Sequence, residues 1–328
     1  MRPTSPLDSS RIVSAAVTGA FSFTGRAIAE ELLRRGESVR TLSRADAPDD
    51  PLRRLIDVAP LTFEPTTLRS SLAGVEILYN TYWVRFERRG VSFAGAVANT
   101  IELFEAARDV GVRRIVHISV SNADRADDLP YFAGKHQIEN WLAASGIEHA
   151  IIRPTLVFGS RDILIGNLAW MLRRTPLFLL PGAGDYLVQP VSVGDVARIA
   201  VQTRAGIVDA AGPDLMSFAT LVSMICAAVR GRARIVSGPR SVGLAINSIV
   251  GRLIGDVIVT ADELEGLSRS LLVTESEPRG TERFIDWLRE QGAGLGRSYT
   301  SELRRNYRTD VRDLSATPKV SPERPAPS

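Results

Sequence analysis

Short apolar runs and amphipathic segments alternate along the first half of the chain. The apolar runs predict strands, and segments whose apolar residues recur at i, i+3 and i+4 predict helices. Strands that alternate with long helices form βαβ units, so we expect an α/β fold on a doubly wound parallel sheet, the Rossmann architecture. The predicted strands are Arg11–Thr18, Ser38–Ser43, Val75–Thr81, Arg113–Ser119 and Ile147–Arg153, and the predicted helices are Thr24–Arg35, Ser92–Val110 and Tyr131–Ser145.

The alternation becomes less regular after about residue 160. We therefore expect residues 11–160 to form the sheet core and residues 161–312 to form a smaller C-terminal lobe that returns some elements to the core. Further helices are predicted at Leu164–Arg174, Val193–Thr203 and Ser217–Arg230.

Proline, serine and charged residues are frequent at both ends, 1–10 and 313–328, which predicts disorder there. Two apolar segments, Pro176–Pro181 and Leu244–Val259, either line an apolar pocket or belong to ordinary core packing. The second is short and carries internal charges, so we expect no integral membrane segment.

Composition narrows the function classes. A hydrophobic fraction of 45% excludes a disordered or collagen-like protein. The net charge of +3 is spread thinly, so we expect no nucleic-acid partner. One cysteine, Cys226, excludes a disulfide framework, and three histidines leave little for a metal site. Without an apolar leader at the N-terminus, we expect a soluble protein of a reducing cytoplasm, either a monomer or a homodimer.

The basic residues are almost all arginines. Of the 40 lysines and arginines, only Lys135 and Lys319 are lysines. Lys319 falls in the predicted tail, so Lys135 is the conspicuous lysine of the folded region.

A glycine turn follows the first predicted strand. The segment Thr18–Gly25 reads TGAFSFTG, which has the spacing TGxxGxxG with Ser22 in place of the middle glycine. Such a turn lets the backbone approach a pyrophosphate, and the helix N-terminus supplies unpaired N–H groups. Because the turn joins a strand to a helix, the sequence favours dinucleotide binding over a merely structural turn.

The end of the second strand bears on which dinucleotide binds. NAD sites usually place an acidic residue there for the ribose 2′-hydroxyl, whereas this chain reads TLSR and ends on Arg44. An arginine suits a 2′-phosphate, and Arg26 at the helix start is a second one. The sequence thus favours NADP over NAD, although in an arginine-rich chain an arginine at this position also occurs by chance.

A tyrosine and a lysine lie four residues apart at the start of a predicted helix, in Tyr131-Phe132-Ala133-Gly134-Lys135. Residues at this spacing share a helix face, and a nearby ammonium lowers the pKa of a phenol. The pair therefore indicates acid–base or cofactor chemistry, and the alternative is a solvated charge on the helix surface.

Taken together, these motifs resemble the short-chain dehydrogenase/reductase superfamily. The resemblance is to its extended or atypical branch, which includes NAD(P)H-binding epimerase-like proteins, NmrA-like proteins and the 39 kDa subunit of respiratory complex I. It covers about residues 11–205, and residues 206–315 match only loosely. The motifs that carry it are VTGAFSFTGR, Ala98-Asn99-Thr100, VRRIVHIS, YFAGK, IIRPTLVFG over Ile151–Gly159 and QPVSVGDVA over Gln189–Ala197.

The resemblance implies roles for individual residues. Tyr131 is expected to be the general acid/base, and Lys135 is expected to tune it and to bind ribose. Arg44 is expected at the adenosine end, with Pro154 and Val157 flanking the nicotinamide. The residues implied in cofactor binding are Gly19, Ser22, Phe23, Thr24, Gly25, Arg26, Arg44, Thr81, Asn99, Lys135, Pro154 and Val157.

Two positions depart from the family pattern. Relatives that do carbonyl chemistry usually carry a serine or threonine directly after the serine that ends this strand, and this chain has Val120 there. Either Ser119 or Ser121 orients the substrate instead, or the site lacks that hydrogen bond. Tyr82 and Trp83 stand where many relatives have small residues. They either shape the pocket and stack on a planar substrate or anchor the core.

Two other polar residues are predicted to be structural. His117 lies between apolar neighbours on a strand, and Asp195 lies at a helix start, where it is expected to help dock the second lobe.

The favoured function is an NADP-dependent oxidoreductase that reduces a carbonyl, a quinone or another activated group of a hydrophobic small molecule. One alternative is a nucleotide-sugar epimerase or dehydratase with bound NAD, for which Arg232, Arg234 and Arg240 supply basic groups. Another is a non-catalytic NADPH-binding subunit or sensor, which Val120 favours and the Tyr131–Lys135 pair opposes.

Overall fold

A computed structural model describes residues 13–45, 47–88, 90–239, 256–257 and 260–303. The predicted disordered ends, Arg240, Lys319 and most of the apolar segment 244–259 lie outside these ranges. The described strands are β1 Val13–Thr18, β2 Val39–Ser43, β3 Asp57–Pro60, β4 Val75–Asn80, β5 Arg114–Ile118, β6 Glu148–Pro154, β7 Leu156–Phe158, β8 Leu177–Pro181, β9 Leu187–Val188, β10 Pro190–Ser192, β11 Gly206–Ala210, β12 Met216–Ser217 and β13 Arg234–Gly238.

The helices flank these strands in chain order. Within the described ranges they are α1 Phe23–Arg34, α2 Pro65–Leu72, α3 Phe93–Asp109, α4 Pro130–Ala144, α5 Ile163–Arg174, α6 Val193–Gln202, α7 Phe218–Ala228, α8 Ala261–Ser268 and α9 Phe284–Gln291.

A seven-stranded parallel sheet forms the centre of the fold, in the order β11-β6-β5-β4-β1-β2-β3. The central strand β1 is apolar along most of its length, as a strand covered on both faces should be. The predicted doubly wound α/β fold is therefore confirmed. The strands and helices predicted from periodicity are observed within one or two residues of their predicted ends.

Helices cover the sheet on both faces. Helices α1 and α6 share one apolar cluster with the sheet, and α2, α3 and α4 share another. Strand order reverses between β1 and β4, because β2 and β3 follow on one side and β5 and β6 on the other. The crevice outside the carboxyl ends of β1 and β4 is where open α/β sheets bind ligands.

A third apolar cluster is built mainly by the later elements. Helices α5, α7 and α9 pack together there, around Phe158, Leu221 and Phe284. The carboxylate of Asp195 accepts hydrogen bonds from the backbone N–H groups of Thr281 and Glu282, at 2.8 and 2.9 Å. This confirms the docking role predicted for Asp195.

Candidate functional site

The turn between β1 and α1 is shaped by two glycines. Gly19 has a φ of +68°, a conformation that favours glycine. A Cβ atom on Gly25 would lie 2.3 Å from the carbonyl oxygen of Gly19, so only glycine lets α1 approach the strand this closely. The Ser22 hydroxyl donates to the same carbonyl at 2.6 Å. Ser22 thus closes the turn that a middle glycine would otherwise form.

The first turn of α1 faces the crevice without a side-chain cap. Ser22 is the N-cap residue, but its hydroxyl bonds Gly19 instead of the N–H groups of the first turn, which includes Phe23 and Thr24. Uncapped N–H groups and the helix dipole favour an anion at this position. The turn therefore fits a dinucleotide pyrophosphate. Phe23 also packs against Gly159 at the end of β7, since a Cβ on that glycine would contact its ring at 3.1 Å.

The two predicted arginines lie in different environments. Arg44 is exposed immediately after β2. Arg26 instead forms ion pairs with Asp50 and, at 3.1 Å, with Glu30. Arg44 is therefore the better placed of the two to meet an additional anion.

Tyr82 and Asn99 lie together beside the end of β4. The Asn99 side-chain amide donates to the Tyr82 hydroxyl at 3.0 Å, and the ring of Phe63 packs on Tyr82 with 4.6 Å between centroids. Burial raises the pKa of Tyr82, and the nearby charge of Arg44 opposes the shift. Tyr82 and Arg44 therefore lie at the same end of the crevice.

A buried polar chain, which the sequence did not reveal, links three strand ends. The Thr18 hydroxyl donates to Asn80 Oδ1 at 3.0 Å, and Asn80 Nδ2 lies 3.1 Å from His117 Nδ1. Thr81 completes the chain, because its N–H donates to the Thr18 hydroxyl and its own hydroxyl donates to the Thr18 carbonyl. The sequence signal for this polar chain is a polar residue at the end of each of two largely apolar strands, Thr18 in β1 and Asn80 in β4. This network fixes the loop that carries Thr81, Tyr82 and Trp83.

His117 is structural, as predicted. Asn80 uses its oxygen to accept from Thr18, so its amide donates to His117 Nδ1 and the neutral ring carries its proton on Nε2. The ring lies edge-on to Phe104 with 5.7 Å between centroids. Burial lowers the pKa of His117 well below 6.5, and the charge of Lys135 acts in the same direction.

Lys135 is buried in the fold. Its exposure is 3%, and its ammonium donates to the carbonyl oxygen of Ile118 at 2.8 Å. The alternative of a solvated surface charge is therefore wrong. Burial lowers the pKa of Lys135 to about 7, and Glu139 opposes the shift.

Tyr131 begins the same helix in an aromatic cluster. Proline at the first position of α4 fits the start of a helix, and Tyr131 follows it. The ring lies perpendicular to Trp83 and Phe93, with 5.9 Å between centroids in each pair, and tilts against Phe132 at 5.5 Å. Tyr131 is partly exposed, so a small molecule can reach it where Lys135 stays covered.

The two candidate serines differ. The Ser121 hydroxyl donates to the Leu271 carbonyl at 2.7 Å and holds the segment that follows α8. The Ser119 hydroxyl is buried and has no hydrogen-bond partner among the described residues. Side chains alternate along a strand, so Ser119 faces the side of the sheet that His117 faces, where α4 packs. Of the two, Ser119 is the serine whose hydroxyl has no partner within the described ranges.

Val120 points into an apolar cluster with Leu129, Phe132 and Leu271. This explains the departure at position 120, because a hydroxyl there would be buried among apolar groups. Trp83 packs on Phe93 and lies over Lys135, which favours the core-anchor interpretation of Trp83 over substrate stacking.

Apolar residues of the later elements enclose a small cavity of about 70 Å³. Leu156, one residue before Val157 and two after Pro154, belongs to its wall. Helix α8 supplies Leu264 and Leu267, while the intervening Gly266 packs on Phe132 beside Tyr131. The segment Pro176–Pro181 contains β8 and contributes both to this wall and to the third apolar cluster, so the two alternatives stated for it both apply.

Arg85 lies at this cavity and is held by carboxylates. It pairs with Glu263 at 2.5 Å and with Glu302 at 3.4 Å, and these charges raise its pKa. Arg232 and Arg234, suggested for a nucleotide sugar, are exposed around the start of β13. The third, Arg240, lies outside the described residues.

Comparison with known proteins agrees with this geometry. Residues 19–160 match the NAD(P)H-binding family model. These residues are therefore similar to an NAD(P)H-binding domain. The domain contains the glycine turn, Arg44, Tyr131 and Lys135, and the residue ranges that the structure describes contain no cluster of metal-ligating side chains.

The proteins similar to this chain include a respiratory subunit and two reductases. The chain is 23% identical to subunit 9 of the NADH dehydrogenase (ubiquinone) 1 alpha subcomplex of Arabidopsis thaliana, over 80% of this chain and 72% of that protein. It superposes on a Citrobacter sp. triphenylmethane reductase with a TM-score of 0.70 and 17% identity, covering 86% of this chain and 100% of that one. It also superposes on an Escherichia coli NADPH-dependent quinone oxidoreductase in complex with NADPH. The TM-score is 0.69 and the identity 22%, covering 84% of this chain and 99% of that one.

The structural likenesses show the fold, which this chain shares with these solved reductases. The resemblance predicted from the motifs, including that to a complex I subunit, is confirmed. Among the helices in the described ranges, none has the length and apolar character needed to cross a membrane.

Proposed function

We propose that the protein is an NADPH-dependent reductase of a hydrophobic small molecule that carries a carbonyl, a quinone or another activated group. The placement of Tyr131 and Lys135 carries the proposal, since they lie on one helix at the edge of the crevice where Gly19 and Thr81 also lie. Lys135 is buried against Ile118 while Tyr131 stays accessible. In this arrangement Tyr131 is the proton donor that contacts the substrate, and the buried charge of Lys135 makes it easier for Tyr131 to release its proton.

Each residue has a distinct part in the reduction. NADPH, when bound, supplies the hydride. Tyr131 donates its phenolic proton to the substrate oxygen as negative charge develops there, and the nearby ammonium of Lys135 stabilises the phenolate that remains. Ser119 donates a hydrogen bond to the same oxygen. Solvent then returns a proton to Tyr131, which completes the cycle.

Two features support the choice of cofactor and substrate. The exposed Arg44 after β2, with no acidic residue in 41–45, favours a 2′-phosphate and hence NADP over NAD. The aromatic cluster around Tyr131 and the apolar cavity beside it favour a hydrophobic substrate. The quinone oxidoreductase and the triphenylmethane reductase with the same fold both fit a substrate of this kind.

A screen of NADPH oxidation with aromatic carbonyls and quinones tests the activity, and Tyr131→Phe tests the mechanism. Removing the hydroxyl should lower kcat by about 100-fold or more, because the proton donor is lost. The dissociation constant for NADPH, measured by fluorescence titration, should change less than about threefold, a difference of about 0.6 kcal/mol.

Tyr299→Phe is the matched control. The Tyr299 hydroxyl bonds Asp256 at 2.7 Å, and within the described residues Tyr299 makes no hydrogen bond or ring contact with the glycine turn, Tyr131 or Lys135, so this variant should keep its kcat. Unchanged turnover in Tyr131→Phe would show that Tyr131 is not the proton donor. NADPH binding without turnover of any substrate tested would instead favour the non-catalytic subunit or sensor.

A further inference from the structure

The ring of Trp83 covers the ammonium of Lys135. The Nζ atom lies 4.7 Å from the ring centroid and donates to the Ile118 carbonyl at 2.8 Å. An aromatic face attracts a cation through its quadrupole, and the attraction grows when the cation is removed from water. The indole thus replaces part of the hydration that Lys135 loses on burial.

The neighbours of Trp83 hold the ring in this place. Phe93 stacks on it at an interplanar angle of 16° and a centroid distance of 5.9 Å, and Tyr131 lies edge-on. Gly134 makes the closest approach, because a Cβ atom there would lie 2.8 Å from Cη2 of Trp83. Glycine inside a helix costs about 1 kcal/mol relative to alanine, and here it leaves room for the ring. Packing of the ring, and not the backbone conformation, therefore accounts for this glycine.

The ionisable groups around Lys135 do not supply the same stabilisation. Glu139, one turn further along α4, is held by Arg153 through two hydrogen bonds of 3.0 and 2.5 Å. Burial lowers the pKa of His117 on β5, which keeps this ring neutral. Within the described ranges, no carboxylate lies at salt-bridge distance from Lys135. Glu139 favours the charged amine from a longer distance, and the Trp83 face is the direct side-chain contact that favours it in the described part of the chain.

We propose that Trp83 is a positioning residue for Lys135, and that its indole face keeps the buried ammonium charged and in place against the Ile118 carbonyl. The consequence for catalysis rests on the proposed function, because only a charged Lys135 can stabilise the Tyr131 phenolate. The charge state itself does not depend on turnover, so it can be measured directly.

The scarcity of lysine in this chain makes that measurement simple. Protein labelled with ¹³C at lysine Cε should give two signals, from Lys135 and Lys319, and Lys319→Arg assigns them. Titration of the full chain gives the pKa of each. In Trp83→Leu the pKa of Lys135 should fall by about one unit relative to the wild type, because the lost attraction acts on the charged form alone. Trp83→Phe keeps an aromatic face, so in this variant the pKa of Lys135 should stay close to its wild-type value.

A second variant moves the ring without deleting it. Gly134→Ala places a methyl group against Trp83 and should lower the pKa of Lys135 in the same direction. Trp170→Leu is the matched control, since Trp170 covers Arg174 at 5.1 Å and should leave the Lys135 titration unchanged. An unchanged Lys135 titration in both Trp83→Leu and Gly134→Ala would overturn the proposal.

Kinetics separate this proposal from the proposed function. If the wild type turns over substrate, the high-pH limb of its kcat/KM profile should move to lower pH in Trp83→Leu, by about the same one unit. If the wild type shows no turnover but the Lys135 signal shifts, the reductase proposal fails while the positioning role of Trp83 stands.

Discussion

Ser119 and Ser121 lie two residues apart, yet their hydroxyls have opposite environments. Ser121 is bonded to the Leu271 carbonyl, whereas the buried Ser119 hydroxyl has no partner in the described part of the chain. A buried polar group without a partner costs stability, and this makes Ser119 the better candidate of the two serines for a contact with a ligand.

Alanine substitution at each serine should therefore have a different effect. Ser121→Ala should lower the free energy of unfolding by about 0.5–1.5 kcal/mol, because a buried hydrogen bond to the Leu271 carbonyl is lost while Asn122 still donates to that carbonyl. Ser119→Ala should leave that free energy nearly unchanged and lower kcat about tenfold or more, because a hydrogen bond to the developing oxyanion is lost. Urea unfolding and steady-state kinetics measure the two effects. A large loss of stability in Ser119→Ala, with normal kcat, would contradict the assignment.

Site residues could be predicted from the sequence where spacing or composition along the chain marked them. Lys135 and Tyr131 could be predicted because their spacing is a helical one and lysine is rare in this chain. The choice between Ser119 and Ser121 could not be made, because it depends on the Leu271 carbonyl about 150 residues later. The same holds for Trp83, whose contact with Lys135 follows from the packing of a loop onto α4.

At the scale of elements, the ends of β2 and α1 place the two candidate arginines differently. Arg44 follows the last residue of β2 and is exposed. Arg26 lies in the first turn of α1 and is paired with Asp50 and Glu30. An incoming 2′-phosphate would have to compete with two carboxylates for Arg26, whereas Arg44 forms no ion pair with a carboxylate of the described residues.

Arg44→Ala should weaken NADPH binding about tenfold or more and leave NADH binding nearly unchanged, because a charge-assisted hydrogen bond is worth about 1.5–3 kcal/mol. Titration of both cofactors against the same protein measures the change. Arg108→Ala removes an exposed arginine at the far end of α3 and should alter neither affinity. Equal losses for NADPH and NADH in Arg44→Ala would indicate that Arg44 does not contact the 2′-phosphate.

The elements missed by sequence analysis share a physical reason. Strand β3, Asp57–Pro60, is a short edge strand with one buried residue, so it lacks the apolar run of a central strand. Helix α2 has eight residues, and its first turn is stabilised by Glu64, whose carboxylate accepts from the N–H groups of Thr66 and Thr67. Short elements carry too few apolar positions for their period to be recognised, whereas β1, α1 and α3 could be predicted closely.

For the molecule as a whole, the buried Lys135 links stability to pH. Its pKa in the folded protein is about 7, below the ordinary value of 10.5. Between these two pH values the unfolded chain binds more protons at this residue than the folded protein does. The free energy of unfolding therefore rises with pH, and it decreases as the pH falls toward 7. The buried His117 acts in the same direction below pH 6.5. The pH interval from 7 to 9 therefore reports mainly on Lys135.

Lys135→Met should flatten this dependence, because methionine fills similar space and does not titrate. Urea unfolding at pH 7, 8 and 9 should show that the wild type gains stability with pH while Lys135→Met changes little over the same interval. Lys319→Met, at the other lysine, should keep the wild-type slope. Parallel curves for the wild type and Lys135→Met would mean that Lys135 is not desolvated in the folded protein. The buried charge would then no longer explain how Tyr131 is tuned.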